Sequence, residues 1–141
     1  MKSEVKYHKL ILLGSKLNYT KKAFLNLSNT NNSLEKENKL ITYTDALIKQ
    51  FELLYDLTWK YFKQLLKERF SIEANSPRKV FQDCFQQKLL TNEETNQLIE
   101  MIDSRNQTTH VYDETVADDI SKKILVYYNT LDKIIKKFKV T

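Results

Sequence analysis

This chain of 141 residues contains a single glycine, Gly14, and a single proline, Pro77. Sheet proteins use both residue types at their many turns, and phosphate-binding loops of the Rossmann and P-loop kinds need closely spaced glycines. The sequence therefore predicts an all-α protein and excludes a glycine-rich nucleotide-binding loop. Because 41% of the residues are apolar, we expect residues 1–141 to form one domain with a buried core.

Apolar side chains recur three, four and seven residues apart along the first half of the chain, which predicts long amphipathic helices. The first helix is predicted over about residues 3–28 and the second over about residues 42–69, with Thr42 or Thr44 as its cap. Between them, the polar, asparagine-rich stretch at 29–39 has no periodicity and predicts a loop.

Local start signals predict three further helices in the second half of the chain. Ser76 before Pro77 is typical of a helix start, and Thr91 with Glu94 three residues later forms the pattern of a capping box. Asp113 can cap the last helix. Long amphipathic helices with short connections predict an antiparallel bundle of four to five helices.

Two further features indicate the compartment. The single cysteine, Cys84, excludes a disulfide framework and provides too few thiolates for a zinc site, which favours a reducing cytoplasm. The longest apolar run, LILL at 10–13, is far shorter than a signal peptide core or a membrane span. We therefore expect a soluble, cytoplasmic protein that does not contact a membrane.

The net charge of +5 is unevenly distributed. Residues 1–30 carry six lysines and one glutamate, and residues 120–141 carry six lysines and one aspartate. Residues 93–119 carry four Glu and four Asp, with Arg105 as their only cation. The basic ends could contact RNA phosphates or could be ordinary solvated helix faces.

The stretch RNQTTHVY at 105–112 contains the residue types in this sequence that are best suited to catalysis or ligand binding. Arg105 falls three residues after Ile102 and seven after Leu98, so it lies on the apolar face of the fourth helix. An arginine there must be paired or must open onto a pocket or a partner, because unpaired burial is costly. His110 and Tyr112 follow near the helix end.

These residue types suit phosphoryl transfer without a metal ion. A histidine can accept a proton from a ribose hydroxyl or donate one to the leaving oxygen, and an arginine can stabilise charge on the phosphate. One motif histidine per chain is awkward for a reaction that needs both an acid and a base, and a twofold dimer would solve this by bringing two copies of Arg105 and His110 into one cleft. The nearby carboxylates, at Asp113, Glu114, Asp118 and Asp119, are interpreted as capping and solvated charges rather than metal ligands.

Other interpretations of these residues stay open at the sequence level. The pattern of an arginine followed five residues later by a histidine is common, and Arg105 could simply be an ion-paired residue at a helix end. His8 is interpreted as a surface residue of the first helix. The larger aromatic residues at helical spacing are interpreted as core rather than as a platform for RNA bases: Tyr55, Trp59, Tyr61, Tyr127 and Tyr128.

RNQTTHVY resembles the Rx4HxY signature of HEPN-domain proteins, in which the residue after the arginine, here Asn106, is commonly polar. The segment FELLYDLTWKYFKQLL at 51–66 is similar to the aromatic second helix of that family, and SPRKVFQDCFQQKLL at 76–90 is similar to its Ser-Pro-Arg segment and the helix that follows. Their order resembles the nucleotidyltransferase substrate-binding branch, which includes the HepT toxins. Lys88 departs from the pattern at a position where glycine is expected.

This resemblance implies a helical bundle that forms a homodimer through its motif face. It also implies a metal-independent endoribonuclease toxin of a type VII-like toxin–antitoxin pair, with Arg105 and His110 as catalytic residues and Asn106 in support. The chain itself would need no cofactor. A partner nucleotidyltransferase (MNT) antitoxin would use ATP and magnesium to transfer AMP to Tyr112, blocking access of RNA.

The alternative function is a non-catalytic subunit that pairs with a nucleotidyltransferase and helps to bind its substrate. A helical scaffold without activity is a third interpretation. We favour the toxin at this stage because the sequence contains all of the motif residues Arg105, Asn106, His110 and Tyr112, a set for which a pure binding subunit has no chemical need.

Overall fold

The computed structural model describes residues 2–29 and 33–138. Across these residues the chain forms five α-helices, two short 3-10 helices and no strand: α1 Lys2–Leu25, a 3-10 helix Asn26–Asn29, α2 Ser33–Phe70, α3 Pro77–Gln86, α4 Asn92–Gln107, a 3-10 helix Thr108–His110, and α5 Glu114–Lys137. The all-α helical bundle predicted from the sequence is confirmed.

Hydrogen bonds between helix ends show that α1 is antiparallel to both α2 and α5. The Ser3 hydroxyl at the start of α1 donates to Glu68 near the end of α2. The Tyr7 hydroxyl donates to the carbonyl of Ile135, near the end of α5, at 2.7 Å. α2 contacts each of the other four α-helices, so it is the central element against which the bundle is assembled.

The core consists of the apolar stripes of all five helices. Its fully buried side chains include Phe51 and Phe62 from α2, Phe81 from α3, Met101 from α4 and Ile124 from α5. Gly14 allows α1 and α5 to approach closely, because a Cβ there would lie only 3.2 Å from the Cδ1 atom of Ile135. None of the described helices is long and apolar enough to cross a membrane.

The predicted loop at 29–39 is wrong for most of its length, because α2 already begins at Ser33. The segment contains good helix formers, and Glu35 pairs with Lys39 one turn later at 2.7 Å. The predicted caps are also wrong, since Thr42 lies inside α2 and its hydroxyl donates to the carbonyl of Asn38. Residues 30–32 of the predicted loop lie outside the described residues.

The start signals of the three later helices are confirmed. The Ser76 hydroxyl accepts a hydrogen bond from the Lys79 amide, with Pro77 as the first residue of α3. Thr91 and Glu94 form the reciprocal bonds of the capping box. Asp113 accepts from the amides of Thr115 and Val116 at the start of α5. This last cap fixes where the link that carries Tyr112 ends.

Candidate functional site

The residues of the RNQTTHVY stretch occupy the end of α4 and the link to α5. Arg105 and Asn106 lie in the last turn of α4, His110 ends the short 3-10 helix, and Tyr112 lies in the turn before α5. The Thr108 and Thr109 hydroxyls donate to the carbonyls of Arg105 and Asn106. These local bonds compete with regular helix geometry and accompany the change from α-helix to 3-10 helix.

Arg105 is held by two carboxylates of α2. Its Nε and Nη2 atoms donate to the two oxygens of Asp56 at 3.4 and 3.3 Å, and Nη1 lies 3.5 Å from Glu52 Oε2. Nη1 also donates to the Thr108 hydroxyl at 2.9 Å. Burial alone would lower the pKa of Arg105, but the hydrogen bond and charge of Asp56, together with the charge of Glu52, raise it. The guanidinium is therefore fixed and largely neutralised by its own chain.

His110 and Tyr112 form an exposed pair on the link. Their rings are arranged edge to face at 6.0 Å between centroids, and His110 Nδ1 lies 3.4 Å from the Tyr112 hydroxyl. Tyr112 is 82% exposed, a high value for a large aromatic side chain. A tyrosine held out of the core in this way is available to a second protein.

The structure places the predicted site residues on two separate grooves. One groove lies between α2, the start of α3 and α4, and its walls include Asp56, Trp59, Pro77, Ile102, Arg105 and Asn106. The other lies between the link and the start of α5, and its walls include Gln107, His110, Tyr112, Thr115, Val116 and Asp119. The grooves share no lining residue, so one copy of the chain does not bring Arg105 and His110 into a common cleft.

Sequence reasoning missed the two partners of Arg105. It predicted that an arginine on the apolar face must be paired, but it did not identify Glu52 and Asp56. A usable signal was present, since these carboxylates lie four residues apart and therefore share one face of the aromatic helix α2. Within residues 2–29 and 33–138, no group of three or more His, Cys, Asp or Glu side chains is placed to bind a metal ion.

The remaining aromatic and histidine predictions agree with the structure. Tyr55, Tyr61 and Tyr127 are buried core residues, and Trp59 and Tyr128 pack partly buried against the core. His8 is exposed on α1. Burial raises the pKa of Tyr55 to about 12, with a smaller contribution from the charge of Asp56. Because Tyr55, Tyr61 and Tyr127 are enclosed within the bundle, these three rings do not form a base-stacking surface.

Comparisons with known proteins identify relatives over most of the chain. A family model described as "Nucleotidyltransferase substrate binding protein like" matches residues 15–140. A crystal structure of a protein from Thermus thermophilus has a TM-score of 0.65, covers 87% of this chain and 99% of that one, and is 22% identical. At this identity the structural likeness shows the fold alone. No curated protein sequence matches the chain significantly.

The family match corrects the predicted activity. The sequence motif favoured an endoribonuclease, whereas the matched family is described by substrate binding for a nucleotidyltransferase. That description indicates a non-catalytic role, so the prediction of an RNA-cleaving enzyme is wrong. The cleavage roles predicted for Arg105 and His110 lose their basis with it, and the ion-paired helix end, left open at the sequence level, describes the observed surroundings of Arg105.

Proposed function

Because the chain belongs to the nucleotidyltransferase substrate binding protein like family, we propose that it is the non-catalytic subunit of a two-protein nucleotidyltransferase. In this proposal a separate nucleotidyltransferase chain binds ATP and magnesium and performs the transfer. The present chain binds the partner at the end of the bundle that carries residues 105–112, and it orients the substrate there.

The observation that carries the proposal is the pairing of Arg105 with Asp56 and Glu52. A catalytic arginine must present hydrogen-bond donors to the charge that develops on a phosphate, but this guanidinium already directs most of its donors at Asp56, Glu52 and Thr108 of its own chain. Breaking such a pair to bind phosphate would leave two negative charges facing the incoming anion. The arrangement suits a rigid groove wall that positions a ligand through its shape and fixed hydrogen-bonding groups.

The groove beside His110 and Tyr112 is the proposed contact surface for the partner. The groove lies at one end of the bundle. Tyr112 forms part of its wall and has the most exposed large apolar side chain among the described residues. Exposed aromatic residues commonly anchor protein interfaces. Asp113 and Asp119 line the same groove, so a partner surface with positive charge fits it best.

Co-expression tests the pairing. The small nucleotidyltransferases of the same genome are produced one at a time with the chain, and complexes are measured by size-exclusion chromatography with light scattering. We expect one stable complex, weakened on the order of tenfold or more by Thr115→Arg together with Tyr112→Ala. The matched control, Val126→Ala, changes an exposed residue of α5 outside the groove and should leave binding unchanged. If no nucleotidyltransferase forms a complex, the proposal fails.

The same measurement on the chain alone tests the predicted homodimer, which would have twice the 16.8 kDa mass of the monomer.

The exposure of Tyr112 favours a second candidate function, as the AMP acceptor of a toxin–antitoxin pair. The Tyr112 hydroxyl oxygen would attack the α-phosphorus of ATP, and pyrophosphate would leave. The phenolic proton would pass to the His110 ring nitrogen 3.4 Å away and from there to solvent. The added anion would then cover the groove and change which molecules bind there.

Intact mass after incubation with the partner, ATP and magnesium tests this modification. We expect the wild-type chain to gain whole AMP units and the Tyr112→Phe chain to gain none. Tyr19→Phe is the matched control, because Tyr19 is 78% exposed but lies on α1, and it should be modified like the wild type. AMP on the Tyr112→Phe chain would place the acceptor elsewhere.

Expression in cells tests the toxin part of this second function. For a toxin, we expect the chain without its partner to arrest growth and co-expression of the partner to relieve the arrest.

A further inference from the structure

Helix α1 has apolar side chains on two opposite sides. One side, which includes Leu10 and Leu17, is buried in the bundle core. The other carries a row of large side chains spaced seven residues apart: Val5 and Leu12, each 57% exposed, and Tyr19, 78% exposed. Residues seven apart lie almost above one another on a helix. The bundle therefore leaves a continuous apolar row of α1 uncovered.

A row of lysines runs beside this apolar row. Lys2, Lys9 and Lys16 are also spaced seven apart and are exposed. Lys9 and Lys16 lie one helical turn after Val5 and Leu12, so the two rows are adjacent. No ion pair among the described residues involves these lysines. We call the two rows together the α1 face.

We propose that the α1 face binds an acidic amphipathic helix of a partner protein. Two helices pack along a seam when apolar residues repeat in heptads, and flanking charges of opposite sign fix the pairing. The α1 face supplies one apolar row and one positive row in that repeat. The complementary helix carries apolar residues seven apart with Glu or Asp beside them.

The charges of α1 argue against the other occupants of this face. A second copy docking through the same face would place two lysine rows against each other, which is unfavourable. A helix that lies in a membrane surface needs a broad apolar side, whereas this row is one side chain wide. Surfaces that bind single-stranded nucleic acid stack successive bases on several aromatic side chains, whereas the apolar row of α1 contains one aromatic residue, Tyr19.

This face is separate from the groove beside Tyr112 and does not depend on the proposed function. Val5, Leu12, Lys2 and Lys9 precede residue 15, where the match to the family model begins. A chain that fails to bind the acidic helix at the α1 face can therefore still be tested for binding of the nucleotidyltransferase at the groove beside Tyr112.

A set of labelled helical peptides tests the α1 face by fluorescence anisotropy with the full chain. The first peptide carries Leu at heptad positions and Glu beside them, the second replaces Glu by Lys, and the third replaces Leu by Ser. We expect only the first to bind well, with an affinity that falls as salt is added. Leu12→Ser should weaken it on the order of tenfold. Val126→Ser is the matched control and should have no effect, since Val126 is 55% exposed on α5.

Reversing the charge of the lysines on the chain tests the same ion pairing that the peptide variants test. The chain with Lys9→Glu and Lys16→Glu should lose the Glu peptide and bind the Lys peptide instead. Equal binding of the Ser peptide would contradict the proposal, because it would show attraction by charge alone. Leucine-dependent self-association of the chain, measured by sedimentation, would also overturn it. So would Leu12-dependent binding to phosphatidylserine vesicles or to an RNA oligonucleotide that exceeds binding to the Glu peptide.

Discussion

At the scale of single residues, Arg105 shows what a sequence pattern can and cannot predict. Helical spacing placed it on the inward face of α4 and required a partner for its charge. The partners, Glu52 and Asp56, come from α2, about fifty residues earlier in the sequence. Their identity depends on how α2 and α4 pack against each other, and helical periodicity does not specify that register. The predicted function changed because of this pairing and the family match.

Glu94 provides a test of the side-chain network that joins α4 to α5. Its carboxylate accepts hydrogen bonds from Lys137 at 2.8 Å and from the Thr91 amide at 2.9 Å. Burial raises the pKa of Glu94, but the bonds from Lys137 and Thr91 outweigh it and lower the pKa below its ordinary value. The charged form therefore stabilises the fold above the ordinary value of 4.5, and this contribution is lost as pH falls through the folded pKa.

We predict that Glu94→Gln lowers the free energy of unfolding by about 1 kcal/mol at pH 7. Gln keeps the capping-box bond to Thr91, so the loss reports the charge that faces Lys137. Urea unfolding of both chains should give nearly equal free energies well below pH 4.5, where the wild-type carboxylate is protonated. An equal difference at both pH values would show that Glu94 does not stabilise the fold through its charge.

At the scale of helices, local signals predicted three starts correctly and one incorrectly. Ser76, Thr91 and Asp113 act through bonds within three residues, so the sequence alone contains the information. The start of α2 at Ser33 lacks such a visible signal, because its first turns are polar and their periodicity is weak. The family resemblance led us to expect glycine where this chain has Lys88. The structure gives a physical reason for that expectation, because the φ of Lys88 is 62°, in the left-handed region that favours glycine.

We predict that Lys88→Gly stabilises the chain by about 1 kcal/mol, because glycine adopts a positive φ without the Cβ clash. The Lys88 amide donates to Phe85 and the Leu89 amide to Cys84, so the backbone at the end of α3 holds this conformation in place. Gln82→Gly is the matched control: Gln82 is exposed inside α3, where glycine should cost about 1 kcal/mol. Thermal unfolding of the two variants should shift in opposite directions. A Lys88→Gly chain no more stable than the wild type would contradict the strain at this position.

At the scale of the whole molecule, composition and helical periodicity were sufficient to predict the all-helical bundle. The motif blocks were sufficient for the family, which the match over residues 15–140 supports. They were not sufficient for the activity, because a binding subunit and an enzyme can share one fold and much of one motif. The distinction depends on which groups are free to act, and that depends on packing between α2 and α4.

The most direct test of the central claim is nucleotidyl transfer by the partner with and without this chain. The Tyr112→Phe chain is used, so that the chain itself does not accept AMP. The partner, magnesium and ATP labelled at its α-phosphate are incubated with an unfractionated extract of the same cells from which the genes for both proteins have been deleted. We predict that labelled product forms rapidly only when both proteins are present, and that the chain alone leaves the RNA of the extract intact. Equal labelling by the partner alone, or RNA cleavage by the purified chain, would contradict a non-catalytic substrate-binding subunit.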